Sequence, residues 1–245
     1  MIEQTSIEEF KVNLRGQLIL PGDEDYDEAC KIYNAMIERR PGMIARCADV
    51  GDVMAAVNFA RENDVLVAIR GGGHNGPGLG TCDDGLVIDM SAIKYTRVDP
   101  QKQTVQVGGG CTWGDVDHAT HAFGLAVPTG IVSTTGVGGL TLGGGHGYLT
   151  RKYGLTIDNL LGADMVLADG SFVSVSAEEN QDLFWAIRGG GGNFGVVTEF
   201  RFQAHPVHTI VGGLTLWPQE KTTEAMRWFR DLMQEAPEDL YGFFA

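Results

Sequence analysis

Three glycine-rich stretches interrupt this chain and constrain its fold more than any other feature. They cover residues 71–80, 130–147 and 189–195, and glycine accounts for 35 of the 245 residues. That is about twice the usual frequency of ~7%. The stretches carry no collagen-like period, so we expect loops in which the backbone approaches another group closely. Because backbone N–H groups can converge on an anion in such loops, they predict an extended, phosphate-bearing ligand.

The segments between these loops predict a mixture of helices and strands, and therefore an α+β fold. The predicted helices cover residues 26–40, 50–63 (with Asp49 as N-cap), 113–123, 182–187 and 218–234. The predicted strands cover residues 43–46, 65–69, 86–90, 104–107, 196–202, 209–217 and 240–244, with a hairpin over 163–175 that turns at Asp169-Gly170. The strand, helix and started strand after Pro206 leave an unpaired edge and an uncovered apolar face. We therefore expect a longer protein, or a partner, to complete that sheet.

The charge balance narrows the range of partners. The net charge is −14 and the isoelectric point is about 4.7, which argues against nucleic acid and anionic membranes as partners. No apolar run approaches the ~20 residues of a membrane span. The segment Met1–Phe10 carries three Glu and no basic residue, unlike a signal peptide. We therefore expect a cytoplasmic location.

Two groups of residues could suggest a metal site, and neither has the required spacing. The four cysteines form no CxxC pair, so we predict reduced thiols at Cys30, Cys47, Cys82 and Cys111. One predicted helix carries two acids and two histidines, with no evident third ligand of fitting geometry. They are Asp115, Asp117, His118 and His121, and we predict solvated helix residues and no metal.

The pattern GxGxxG, a signature of dinucleotide-binding Rossmann domains, occurs twice in the wrong context. The first copy follows a strand but leads into a loop that contains Pro77, and the second copy follows a helix and leads into a strand. A Rossmann site needs the order strand, glycine turn, helix, so this interpretation fails. The two copies are Gly71, Gly73, Gly76 and Gly190, Gly192, Gly195.

His74 is the chemically distinctive residue of the first glycine loop. It follows a predicted buried strand in the sequence Arg70-Gly71-Gly72-Gly73-His74-Asn75. A lone histidine is usually a satisfied polar residue or a surface group. A neutral imidazole, however, is also a competent nucleophile, and here its small neighbours let a ligand reach it.

These residues resemble the covalent-FAD signature of the vanillyl-alcohol oxidase superfamily, whose members carry a PCMH-type FAD-binding domain. The signature reads here as Pro41, Asp52-Val53, Val57, Val67 and Gly71-Gly72-Gly73-His74. More narrowly, the chain is similar to berberine-bridge-enzyme-like and 6-hydroxynicotine-oxidase-like oxidoreductases. The similarity extends through residues 130–147, 151–159 and 184–198, which is nearly the whole chain.

The resemblance implies a fold of two α/β subdomains that hold FAD, followed by the start of an α+β substrate domain. It implies an N-terminal helical segment at 1–35, the FAD-binding domain at 36–207 and an incomplete substrate-binding domain at 208–245. It also implies a covalent bond from His74 to the 8α-methyl group of the flavin. The other implied FAD-binding residues are Arg70, Gly71, Gly72, Gly73, Asn75, Gly78, Thr129, Gly130, Gly138, Gly139, Gly143, Gly144, Gly145, Asp158, Asn159, Gly195 and Val197.

Some relatives add a second covalent bond, from a cysteine to the flavin. Val132 occupies that position here, and its side chain cannot form a thioether. Cys111 lies elsewhere, at a helix entrance, and we predict that it is a small buried residue. The resemblance therefore implies single attachment through His74. Thr135 aligns with a position that influences oxygen access, and His146 is a candidate to face flavin or substrate.

The function implied by the resemblance is oxidation of a small alcohol, sugar or amine by FAD, with dioxygen as the final acceptor and hydrogen peroxide as a product. The catalytic base is expected beyond residue 245, in the half of the longer family members that this sequence does not include. Two alternatives stay open at this point. One is a truncated, non-catalytic flavin-binding module, and the other is a dehydrogenase or reductase that uses another electron acceptor or donor.

Overall fold

The computed structural model describes residues 2–244, and its helices and strands lie between Gln4 and Glu235. The α-helices are α1 (Gln4–Asn13), α2 (Tyr26–Ala29), α3 (Val50–Glu62), α4 (Trp113–His121), α5 (Val137–Leu142), α6 (Thr150–Tyr153), α7 (Gln181–Ala186) and α8 (Thr222–Glu235). Short 3-10 helices cover Thr156–Asn159 and Gln219–Lys221. The strands are β1 (Gln17–Ile19), β2 (Met43–Arg46), β3 (Val67–Arg70), β4 (Leu86–Asp89), β5 (Thr96–Asp99), β6 (Thr104–Gly108), β7 (Leu125–Ala126), β8 (Leu160–Val166), β9 (Phe172–Ser176), β10 (Val196–Gln203) and β11 (His205–Pro206).

The first sheet has four strands in the order β1-β2-β4-β3. β2, β4 and β3 run parallel, and β1 pairs antiparallel with β2. The crossover helix α3 begins where predicted, because the Asp49 side chain accepts a hydrogen bond from the Asp52 N–H at 3.1 Å. All four residues of β4 are buried, since this central strand has protein on both of its faces. β3 ends at Arg70 and delivers the chain directly into the first glycine loop.

The second sheet has five antiparallel strands in the order β5-β6-β10-β8-β9. Its inner face packs on α4, α5 and α7 around Trp113, Phe200 and Phe202, which are almost completely buried. β8 and β9 form the hairpin predicted from Asp169-Gly170. Together with the helices, the two sheets confirm the predicted α+β class.

The N-terminal helix α1 packs against α3 and belongs to the core of the first sheet. The rings of Phe10 and Phe59 stack with their centroids 4.4 Å apart. The opposite face of this sheet is covered by the segment around Tyr26, whose hydroxyl donates to the Pro41 carbonyl at 2.6 Å. No helix within residues 2–244 is both long enough and apolar enough to cross a bilayer.

Three secondary-structure predictions are wrong. The helix predicted over 26–40 stops at Ala29, because the backbone of the following segment bonds to other loops. Tyr33 N–H donates to the Gly73 carbonyl at 3.1 Å, and Arg40 N–H donates to Asp83 at 2.8 Å. The strands predicted over 209–217 and 240–244 are not formed within the described residues. Their alternating apolar residues have no neighbouring strand with which to pair.

Candidate functional site

His74 is held in place by an aromatic ring from the segment before the first sheet's core strand β2. The imidazole stacks on Tyr33, with ring centroids 3.9 Å apart and planes within 18° of parallel. The side chain of Tyr33 is 66% exposed, so the stack lies at the protein surface. Asn34 fixes this segment to the loop, since its side-chain amide donates to the Gly76 carbonyl at 2.9 Å.

Both ring nitrogens of His74 lie beside threonine hydroxyls of the second glycine-rich stretch. Nε2 is 3.0 Å from Thr134 Oγ1, and Nδ1 is 3.4 Å from Thr135 Oγ1. Partial burial lowers the pKa of His74, because removal from water disfavours the charged imidazolium. The site therefore favours the neutral ring, which is the form that has a nucleophilic nitrogen.

The two loops that bracket His74 touch through their backbones. A Cβ added to Gly72 would lie 2.3 Å from the Gly136 nitrogen, and one added to Gly136 would lie 2.2 Å from the Gly72 nitrogen. Neither position can therefore carry a side chain without separating the loops. The contact between these two glycines brings Thr134 and Thr135 within reach of His74.

A cavity of about 500 Å³ opens beside this contact. It is lined by Gly71, Gly72 and Gly73, by His74 and Thr134, and by polar groups from three further segments, which are Glu28, Lys31, Arg46, Asp89 and Ser91. The N–H groups of the three consecutive glycines donate to no protein acceptor within residues 2–244. Unused backbone donors suit an anionic group, whereas the basic side chains of the lining are paired with Glu28 or Asp89.

Arg70, predicted to bind the cofactor, forms a buried ion pair at the end of β3. Its Nη2 lies 2.9 Å from Asp89 Oδ2, and its Nη1 donates to the Ala29 carbonyl at 2.7 Å. Arg46 approaches the same carboxylate at 3.8 Å. Both terminal nitrogens of the Arg70 guanidinium therefore make contacts inside the protein, while its position still borders the cavity.

Asn75 and Gly78, two predicted FAD-binding residues in the first glycine loop, determine the backbone conformation of that loop. Asn75 Oδ1 accepts from Leu79 N–H at 2.9 Å, and Gly78 has a positive φ of 79°. Gly195, in the third stretch, also has a positive φ, and an added Cβ there would lie 2.5 Å from the Val166 carbonyl oxygen. Val197 is buried in β10, with its carbonyl beside Gly109.

The remaining predicted glycines lie around α5 and the turn that follows it. Gly139 faces open space, whereas Gly138 packs towards Phe200 and Gly130 packs against Leu140. Thr129 is adjacent, because its carbonyl oxygen would be 1.8 Å from a Cβ on Gly147. The turn residues are Gly143, Gly144 and Gly145, and the last two have positive φ angles. Only some of these backbones therefore have room for a ligand beside them.

Asp158 and Asn159 make protein contacts away from the first loop. Asp158 Oδ2 accepts from Leu155 N–H at 2.8 Å, and Arg188 lies 3.6 Å from its other oxygen. Asn159 is buried and its Oδ1 lies 2.6 Å from His205 Nε2.

His146 is exposed on the side of the molecule that faces the C-terminal segment. Its ring lies 6.0 Å from that of Tyr241, which also makes an edge contact with Tyr148 at 5.8 Å. Arg151 holds this segment, because its guanidinium donates to the Met233 carbonyl at 2.8 Å and the Ala236 carbonyl at 2.6 Å. His146 is thus placed where the predicted substrate domain begins.

Cys111 and Asp115, for which the sequence predicted no catalytic or metal-binding role, make hydrogen bonds within the protein. Cys111 is fully buried, its thiol donates to the Tyr95 carbonyl at 3.2 Å, and burial raises its pKa. Asp115 caps α4 by accepting from the Thr112 N–H at 2.8 Å. Burial opposes ionisation of Asp115, but bonds from Thr112 and Lys94 bring its pKa below the usual range. Residues 2–244 contain no cluster of three or more metal-ligating side chains.

Three residues around the site were missed from the sequence. Thr134 carries no motif that identifies a contact with a histidine 60 positions earlier. Tyr33 was assigned to a helix, so its contact with His74 was hidden. Asp89 offered a weak signal, because a carboxylate at the end of a buried strand needs a partner.

Comparison with known proteins identifies an FAD-binding domain in the part of the chain that contains His74. A family model for an FAD binding domain matches residues 41–176, more than half of the chain. An FAD-linked oxidoreductase of Dictyostelium discoideum is 41% identical over 221 residues, which cover 90% of this chain and 48% of that protein. The chain spans about half the length of the curated relatives that it matches.

Two solved structures share the fold. The crystal structure of 6-hydroxy-D-nicotine oxidase from Arthrobacter nicotinovorans is 41% identical with a TM-score of 0.78, covering 79% of this chain and 43% of that one. A chitooligosaccharide oxidase is 29% identical with a TM-score of 0.83, covering 95% of this chain and 51% of that one. The resemblance to 6-hydroxynicotine-oxidase-like proteins is thereby confirmed. The chain belongs to the family of FAD-linked oxidoreductases that carry this FAD-binding domain.

Proposed function

We propose that this chain holds FAD covalently through His74. We also propose that it forms the FAD-binding part of an oxidase that acts on a small alcohol, sugar or amine. The observation that carries the proposal is the position of His74, whose neutral form is favoured by partial burial. It borders a cavity lined by Gly71, Gly72 and Gly73, whose N–H groups have no acceptor among residues 2–244. When bound, FAD accepts a hydride from the substrate and passes the electrons to dioxygen, which yields hydrogen peroxide.

The donor set of the cavity fits a dinucleotide with a diphosphate. The N–H groups of Gly71, Gly72 and Gly73 would bind phosphate oxygens, and Arg46 and Lys31, which also contact Asp89 and Glu28, would lie near them. Such binding reconciles a phosphate-bearing cofactor with a net charge of −14. His74 would orient the flavin by fixing one edge of its ring.

Two observations support attachment through a single residue. Val132, in the position of the second linkage, has no sulfur. Cys111 is fully buried, and a raised pKa keeps its thiol protonated and poorly nucleophilic. We therefore propose that the described chain offers only His74 for the bond to flavin.

The proposed substrate class draws on the structural neighbours and on the open side of the molecule. Their names indicate a nicotine derivative for one oxidase and a chitooligosaccharide for the other. His146, Tyr148 and Tyr241 supply aromatic and polar surface at the start of the proposed substrate domain. Because the tail leaves large apolar side chains exposed, we propose that further protein surface completes the substrate site.

The oxidase proposal is tested through the reaction of reduced flavin with dioxygen, which needs no knowledge of the substrate. The FAD-loaded chain is reduced with dithionite, freed of excess reductant and mixed with oxygenated buffer, while flavin absorbance and peroxide are followed. We expect rapid reoxidation with about one peroxide per flavin, and slower reoxidation in Thr135→Leu, whose larger side chain narrows access beside His74. Reoxidation no faster than that of free reduced flavin would argue for a dehydrogenase.

The substrate class is tested with a panel of sugars, alcohols and cyclic amines. We expect one class to reduce the bound flavin anaerobically and to generate peroxide in air. Failure of every class to reduce the flavin, even in a form extended to the length of its relatives, would favour a non-catalytic flavin-binding module.

A further inference from the structure

The threonine pair beside His74 offers a physical reason why this imidazole would react at one nitrogen and not the other. In a neutral imidazole one ring nitrogen carries the proton and the other carries the lone pair. The contact from Nε2 to Thr134 is 3.0 Å, a normal hydrogen-bond length, whereas the contact from Nδ1 to Thr135 is 3.4 Å, at the long limit. A threonine hydroxyl can accept from an N–H group or donate to a ring lone pair, and the shorter contact gives a proton on Nε2 the better-placed acceptor.

We propose that Thr134 is a positioning residue for covalent attachment of flavin: its hydroxyl accepts the Nε2–H of His74 and leaves the Nδ1 lone pair as the nucleophile. Tyr33 contributes by stacking on the ring at 3.9 Å, which restricts rotation about the side-chain bonds. Gly72 and Gly136 contribute because their backbone contact brings the two loops together. This inference rests on the proposed attachment at His74.

The chemistry balances with dioxygen as the oxidant. The Nδ1 lone pair forms a C–N bond to the 8α carbon of FAD, and one C–H bond of that methyl group breaks. One proton leaves from the methyl group and one from Nε2, and the two electrons leave with them. Dioxygen takes up both protons and both electrons as hydrogen peroxide. Thr134, which accepts the hydrogen bond from Nε2–H, lies beside the proton that must depart.

The experiment compares attachment rates in four variants under the same saturating FAD concentration in air. Covalent flavin is read as fluorescence of the denatured chain in a gel, and non-covalent affinity for FAD is measured separately by fluorescence quenching. Thr134→Val removes the hydroxyl and Thr134→Ser restores it. Ser133→Ala is the matched control, because it removes a hydroxyl from the same loop. Thr135→Val tests the longer contact.

We expect Thr134→Val to slow attachment about fivefold or more, the effect of losing one neutral hydrogen bond, with little change in FAD affinity. Thr134→Ser should return to within about twofold of the wild-type rate, and Ser133→Ala should stay within the same range. Thr135→Val should change the rate less than Thr134→Val does, because its contact with His74 is longer. An unchanged rate in Thr134→Val, or a failure of Thr134→Ser to restore it, would overturn the inference.

A second measurement does not depend on how well any variant folds. The ¹⁵N shifts of His74 in the wild-type chain before attachment report its tautomer, and we expect the proton on Nε2. A proton on Nδ1 would overturn the inference. If the wild-type chain never attaches flavin, the proposed covalent link fails and this inference fails with it. If the wild type attaches flavin and Thr134→Val does so equally fast, only this inference fails.

Discussion

The part of the chain that carries the glycine loops and the part after residue 207 are stabilised in different ways. In the first part, the large side chains of β4, β6, β8 and β10 are mostly buried between sheets and helices. In residues 208–244, all of which the structure describes, Ala225 is the only buried residue. Val211, Leu214 and Leu216 are at least 86% exposed. The first part is therefore held by its own core, and the second is held at its surface by polar contacts.

This difference in burial has a consequence for FAD binding and for the contacts of the C-terminal segment. The cavity beside His74 is built entirely from residues 28–134, which belong to the part with a core. Tyr241, by contrast, lies near His146 in a segment after α8 that Arg151 and Lys152 contact through polar groups. We therefore expect FAD binding to tolerate loss of the tail contacts. The side that we propose to face the substrate should depend on the contacts made by Arg151 and Lys152.

The largest expected effect tests the core. Phe200 is completely buried, and Phe200→Ala should lower the free energy of unfolding by about 3–5 kcal/mol through lost burial and the cavity left behind. Leu214→Ala, which changes a side chain that is 91% exposed, should change it by less than about 0.5 kcal/mol. Urea unfolding measures both. Similar losses at the two positions would contradict the contrast between the two parts.

The next effect concerns the buried ion pair at the end of β3. Arg70→Met leaves the buried Asp89 carboxylate with the longer contact to Arg46 as its remaining ion pair, beside a hydrogen bond from Ser91 N–H, and should cost about 3 kcal/mol. Lys152→Ala breaks a pair whose side chains are 41% and 73% exposed, and should change the free energy of unfolding far less than Arg70→Met does. Urea unfolding again measures the change. If the double variant Arg70→Met/Asp89→Leu is no more stable than Arg70→Met, the buried charge is not the source of the loss.

A smaller and more local effect is expected at the anchor of the tail. Arg151→Ala removes two hydrogen bonds from a charged donor to the end of α8, and should ease local opening by about 1.5–3 kcal/mol. Limited proteolysis and hydrogen exchange in α8 measure the opening. Arg227→Ala, an exposed change on the same helix, is the control. Equal protection of α8 in the wild type and Arg151→Ala would show that another contact holds the tail.

The smallest effect is a pH dependence at the junction of the two parts. Burial lowers the pKa of His205, which stacks on Tyr153 and contacts Asn159. Below its ordinary pKa of about 6.5, the unfolded chain takes up a proton that the folded chain resists, so stability falls as the pH falls. Above that value the group contributes no pH dependence.

The check is the melting temperature between pH 7.5 and pH 5. We expect a steeper fall in the wild type than in His205→Gln, which keeps a donor for Asn159 but does not titrate. His74 titrates in both chains and cancels in the comparison. Parallel curves would show that protonation of His205 is not coupled to folding.

The sequence predicted the elements whose signals are local, and it failed where distant segments meet. The Asp49 cap and the Asp169-Gly170 hairpin formed as expected, because their hydrogen bonds join near neighbours. The segment after Ala29 was assigned to a helix on its apolar spacing, yet its backbone bonds to Gly73 and Asp83. Contacts between distant residues override such periodicity.

The same limit applies to the candidate site. His74 and the glycine loops were identified from the sequence, because a motif of fixed spacing marks them. The contact of Thr134 with His74 joins residues 60 positions apart, and no local pattern indicates it. The ion pair of Arg70 with Asp89 was also missed, although both residues end neighbouring parallel strands.

The most direct test of the account is the intact mass of the chain after incubation with FAD in air and full denaturation. We predict a gain of one FAD per chain, lost completely in His74→Ala although that variant still binds FAD reversibly before denaturation. A denatured wild-type chain without added mass, or the same gain in His74→Ala, would contradict the central claim that this imidazole carries the flavin.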